Sequence, residues 1–199
     1  MEKIFIVIFL HVVFFGFIAV LTYFQKKESK RFDEEIKGYG WKKVQQNRGF
    51  DLLPETEEWK VEFRGSKNTK NQASVIWSHP ISSQTPLVIL SKMGISIMDD
   101  IPIQGLQMQY SKELGHLTSF SVNKENFMNR YAIYGNPVDQ NHPLLIQEIQ
   151  SILLSYVGAK IILVVFPDVL QIRLRDRNVK SQIPPMVELG RNIITALNH

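Results

Sequence analysis

"IFIVIFLHVVFFGFIAVLTYFQKKESKR", residues 4–31, separates a stretch suited to lipid from one suited to water. Ile4 to Phe24 gives 21 residues without a formal charge, and Lys26, Lys27, Lys30 and Arg31 follow almost at once. As a helix that run is roughly 31 Å long, close to the ~30 Å hydrocarbon thickness of a bilayer. Cleaved signal peptides carry a shorter apolar stretch and a small-x-small cleavage site. Here Tyr23, Phe24 and Gln25 close the run instead. The reading is an uncleaved transmembrane anchor over 1–25, a charged juxtamembrane helix over 26–37 and one soluble domain over 38–199.

Orientation follows from the basic residues at the two ends, because lysine and arginine are retained on the cytoplasmic side. Lys3 stands alone before the run, whereas Lys26, Lys27, Lys30, Arg31 and Lys37 follow it. The expectation is a single-pass protein of the plasma (inner) membrane, amino terminus out and carboxy-terminal domain cytoplasmic. Tyr23, Lys26, Lys27, Lys30 and Arg31 then form the membrane interface. The same cations could hold anionic headgroups, although cations mixed with Glu28, Asp33, Glu34 and Glu35 are also an ordinary topology signal.

His11 interrupts the run, and an ionisable group within a membrane is a functional hypothesis by default. At about 100° per residue, His11, Phe15, Ile18 and Thr22 share one helical stripe, which could dock against another membrane helix through histidine and threonine hydrogen bonds. The competing reading is a neutral His11 reaching the nearby interface by itself.

The rest of the chain bounds the chemistry. The whole chain has 199 residues, a net charge of +4 and no cysteine, so disulfides, thiolate metal sites and cysteine nucleophiles are excluded. Its pI near 9.2 describes a mildly basic domain, large enough to bury its own core. His79, His116, His142 and His199 never fall four apart on a helix face, as a paired imidazole metal site requires. No glycine pattern forms a phosphate cradle, and no nucleophile elbow occurs. Asp99-Asp100 reads as a solvated turn. No cofactor, metal or nucleic acid is expected.

Periodicity gives an α+β domain with a mostly antiparallel sheet and about three helices. Strands are expected at 59–63, 73–79, 86–91 and 117–122, with a hairpin of 159–166 and 169–175 around Pro167-Asp168. Helices are expected from Asn123 to Gly135, after Pro143, and from Pro184 or Pro185 to the end. His79 and His142, each before a proline, are placed in turns. In "QIRLRDR", Arg173, Arg175 and Arg177 alternate, so they could share one strand face while Ile172 and Leu174 enter the core. That face is a candidate anion or partner patch; the favoured, plainer reading is the wet side of an amphipathic strand, paired with Asp176 or nearby acids.

The order of "GYGW" (38–41), "WKVEFRG" (59–65), "FSVNKENFMNRYAIYGNP" (120–137), "VLQIRLR" (169–175) and "ELGRNIITAL" (188–197) resembles uncharacterised bacterial membrane-anchored proteins. The resemblance implies an α+β domain without an assigned activity and transfers no catalytic residue. The chain departs from that pattern at "ASVIWSHPISSQTPLVIL" (73–90), where those proteins are rich in glycine and tyrosine. The function that follows is a non-enzymatic accessory or scaffold subunit of a membrane complex, with the bilayer and another membrane protein as partners. The alternative is a membrane-tethered domain binding a ligand, peptide or lipid headgroup, with hydrolysis as an option.

Overall fold

The computed structural model describes residues 2–65, 73–82, 85–92, 96–176 and 179–198; the side chains of 2–10, 12, 25, 96–101, 175, 176 and 179 lie outside the description. The chain forms two compact units, Met1–Lys42 and Lys43–His199. The first is one uninterrupted helix, α1 (Glu2–Gly38), so the two segments read as anchor and juxtamembrane helix are continuous. It ends where Gly40 takes a positive φ of 71° and Trp41 N–H donates back to the Ile36 carbonyl at 3.1 Å, a left-handed stop that favours glycine. Among the described residues no helix is long and apolar enough to cross a membrane. The uncharged run begins at Ile4, ahead of the first described side chain, His11.

The second unit is α+β. Its strands are β1 (Lys42–Gln46), β2 (Gly49–Leu53), β3 (Lys60–Arg64), β4 (Ala73–Pro80), β5 (Leu87–Ser91), β6 (Thr118–Phe120), β7 (Tyr131–Gly135), β8 (Ile161–Val165) and β9 (Val169–Asp176). Among the described residues they make one nine-stranded sheet in the order β1-β2-β3-β4-β9-β8-β5-β7-β6, and the pairings from β2 onward are antiparallel. The helices are α2 (Ser96–Gln109), α3 (Ser111–Leu114), α4 (Glu125–Arg130), α5 (Gln147–Ser155) and α6 (Ile183–Leu197), with 3-10 turns before α5 and α6. That exceeds the three helices expected.

Helices lie on both sides of the sheet, but unequally. On one side α6 crosses β4 so closely that a Cβ on Gly190 would meet the Trp77 ring at 2.5 Å. Trp77, Ile172, Leu163, Ile89 and Ile133 are aligned across five strands on that face and all are fully buried. On the other side Ile103 and Leu106 of α2, with Leu114, pack on Val88, Leu90, Tyr134 and Val164. This second cover reaches only the β8-β5-β7 end.

Three expectations change. "YAIYG" (131–135) is strand β7, not the end of a helix; α4 stops at Arg130. Every residue of β7 is buried, so the alternation that reveals a strand is absent, and a short continuous apolar run is ambiguous by periodicity alone. Asp99-Asp100 lies in α2, not in a turn. Pro102 and Gly105 argue against a helix there, yet Ile103, Leu106 and Tyr110 recur at helical spacing toward the same apolar cluster. His79 is a residue of β4.

His142 does precede a turn, but it is buried rather than wet. Its Nδ1 accepts from the Leu144 N–H at 3.1 Å, which leaves Nε2–H to donate to the Thr85 carbonyl at 3.2 Å. Only the neutral ring satisfies both. Burial lowers its pKa, against smaller opposing effects from the Thr85 carbonyl and Asp139. With the folded pKa below the unfolded value of about 6.5, this stabilisation is complete above that pH and is lost as pH falls through it. The unfolding midpoint should therefore drop between pH 7 and pH 5 in a thermal melt. His142→Asn, which retains an acceptor for Leu144, should flatten that part of the profile.

Candidate functional site

β9 sends Ile172 and Leu174 into the core and Arg173 to the opposite face, as the alternation predicts. Arg173 is not simply wet, however. Its Nε and Nη2 both donate to Gln171 Oε1, at 3.0 and 2.6 Å. Its guanidinium lies 4.8 Å from the Tyr110 ring centre and 5.8 Å from that of Phe166, and those rings meet edge-on at 5.1 Å. Cation–π contact on two rings fixes the group where α2 stops covering the sheet. Arg175 continues the strand opposite Ser74, but its side chain and the whole of Arg177 lie outside the described residues. Of the three arginines, Arg173 is the one whose surroundings are described.

Past α2 the same sheet face becomes polar. Register aligns Arg173 with Ile76, Glu62 and Asp51 across β9, β4, β3 and β2. Arg64 Nη1 donates to Asp51 Oδ1 at 2.7 Å and its Nη2 to Glu62 Oε2 at 3.0 Å. Lys60 reaches Glu62 at 2.8 Å and Asp51 at 3.5 Å, and Gln46 donates to Asp51 Oδ2 at 2.9 Å. The two cations thus share two carboxylates, with Asp51 only 6% exposed at the centre. Burial alone would raise the Asp51 pKa; Arg64 first, then Lys60 and Gln46, outweigh it and hold the carboxyl below its usual range.

Sequence reasoning missed this network. Lys60, Glu62 and Arg64 alternate along the strand expected from 59, and nothing local joins them into a network; only the pairing with β2, where no strand is expected, adds Asp51. Among the described residues no group of three histidine, cysteine, aspartate or glutamate side chains could hold a metal ion. The arrangement is a fixed polar surface suited to contact.

In the first unit His11, Phe15, Ile18 and Thr22 lie along one stripe of α1, and all four are exposed. The His11 and Phe15 rings are 6.4 Å apart. Thr22 differs from the expected free donor: its hydroxyl lies against the Ile18 carbonyl and 3.2 Å from that of Ala19. It can still accept a hydrogen bond from a neighbour. Tyr23, Lys26, Lys27, Lys30 and Arg31 are exposed on the same helix, with Tyr23 and Phe24 edge to face at 5.9 Å.

No family model, curated protein or solved structure matches the chain.

Asp51→Asn should lower unfolding stability by about 1 kcal/mol at pH 7, since it replaces a buried carboxylate with a neutral amide that cannot pair with both half-exposed cations, Arg64 and Lys60. The folded pKa of Asp51 lies below the unfolded ~3.9, so its contribution is present above that pH and lost as pH falls through the folded pKa. Denaturant titrations of wild type and variant should accordingly converge below about pH 4.

Proposed function

We propose that this chain is a single-pass protein of the plasma membrane, amino terminus out and globular unit in the cytoplasm, acting without catalysis as an accessory or scaffold subunit of a membrane complex. One observation carries the reading. Ile4 to Phe24 and the cations behind them belong to a single helix, Glu2–Gly38, whose uncharged part matches a bilayer at roughly 31 Å. Within a bilayer, a helix satisfies its own backbone groups, and the inward Thr22 hydroxyl adds no stray donor. His11, Phe15, Ile18 and the acceptor side of Thr22 then face lipid or a second helix, while Tyr23, Lys26, Lys27, Lys30 and Arg31 lie at headgroup depth. Outside the bilayer, Arg173 and the Asp51 network offer a pre-set polar surface to a partner.

Gentle detergent extraction followed by native mass measurement tests the reading: the chain should migrate with another membrane protein. His11→Leu should weaken that association by about threefold or more, the scale of one interhelical hydrogen bond of ~0.6–1.7 kcal/mol. A chain that migrates alone contradicts the accessory role and favours a tethered ligand- or headgroup-binding domain.

A further inference from the structure

The register sorts charge between the two ends of the sheet. Arg48 immediately precedes β2, Lys92 follows β5, and Arg130 and Lys160 immediately precede β7 and β8. The antiparallel pairings bring these positions to one end: Gly49 faces Arg64, Ser91 faces Tyr131, and Leu90 faces Ile162. Arg175 of β9 shares that end through its partner Ser74. The opposite end carries Glu55, Glu57 and Glu58 between β2 and β3, Asp168 in the β8–β9 turn, and Asp139 beyond β7. There Glu57 is paired with Arg191 at 3.0 Å.

Three of the cations at the basic end, Arg130, Lys92 and Lys160, are held by backbone oxygens. Arg130 donates to the Leu154 carbonyl at 2.6 Å and to that of Tyr156. The Lys92 ammonium donates to the Met128 carbonyl and the Lys160 ammonium to the Lys92 carbonyl. Such bonds fix the groups without neutralising them. The acids that chain order brings to this side are Asp176, Glu125 and Asp99-Asp100; Arg64 is engaged with Asp51 and Glu62. From β2 to β7 the row crosses six strand intervals, roughly 29 Å at about 4.8 Å each. A row that long does not converge on one small anion; it fits an extended surface of dispersed negative charge.

We infer that the basic end of the sheet docks on the anionic headgroups of the cytoplasmic leaflet. This rests on the reading of α1 as an anchor, which keeps the globular unit beside that leaflet so that several weak contacts suffice. An acidic protein segment would need the same charge but not the same extent.

Because the chain has no cysteine, a single dye can be placed at Asn129→Cys, exposed and next to Arg130. The full chain is reconstituted into vesicles of phosphatidylcholine alone or with 30 mol% phosphatidylglycerol, each carrying a headgroup-linked acceptor, and is washed with carbonate. Energy transfer should be higher in the anionic vesicles and fall back in 0.5 M NaCl, since such contacts are screened. The double variant Arg48→Gln/Lys160→Gln should lower the docked-to-undocked ratio by roughly tenfold to thirtyfold, and Asp168→Asn should leave it unchanged. Retention after carbonate with equal transfer in both bilayers overturns the docking and leaves the anchor standing. Loss of the chain from both vesicles overturns the anchor, and the docking with it.

Discussion

The globular unit is organised by the burial of β5 on both faces. Leu87, Val88, Ile89 and Leu90 are at most 1% exposed, and each such side chain contributes roughly 1.5–3 kcal/mol only if it is covered. Two layers of helix must therefore meet at β8-β5-β7: α5 and α6 on one side, α2 and α3 on the other. Beyond them α6 continues over β4 while α2 does not, and the sheet face there must satisfy water. Ser74, Ile76 and Ser78, then Lys60, Glu62, Arg64 and Asp51, occupy that outer part, with Arg173 fixed at the boundary by Tyr110 and Phe166. The polar surface follows from where the second layer of helix stops.

Much of this was legible from local pattern. The alternating run 59–63 and the β-rich run 73–79 correspond to β3 (Lys60–Arg64) and β4 (Ala73–Pro80); the 159–175 stretch is a hairpin closed where Phe166 N–H donates to the Val169 carbonyl at 2.9 Å. What local pattern could not yield was set by distant segments. β7 is buried on both sides and loses its alternation. α2 tolerates Pro102 and Gly105 because Ile103 and Leu106 find Val88 and Leu90. Arg173 was legible as a face residue but not as a clamped one, since Tyr110 lies far from it in sequence. Asp51 was invisible because its value depends on the register of β2 with β3.

Charge is distributed by the same topology. A net +4 spread along the chain suggests no particular partner; antiparallel order gathers Arg48, Lys92, Arg130 and Lys160 at one end and Glu55, Glu58, Asp139 and Asp168 at the other. Each turn lies at one end or the other, so residues far apart in sequence become neighbours along a rim.

The proposed function requires residues 4–24 to reside in hydrocarbon. Spin labels on single cysteines introduced from Ile4 to Phe24 in the reconstituted full chain would test it most directly, through relaxation by oxygen and by a water-soluble nickel chelate. For a helix buried in the bilayer, oxygen access should rise and nickel access fall toward the middle of the run, near Phe14, with nickel access returning past Gln25. High nickel access throughout, or a 3.6-residue alternation of wet and dry positions at constant depth, would contradict it.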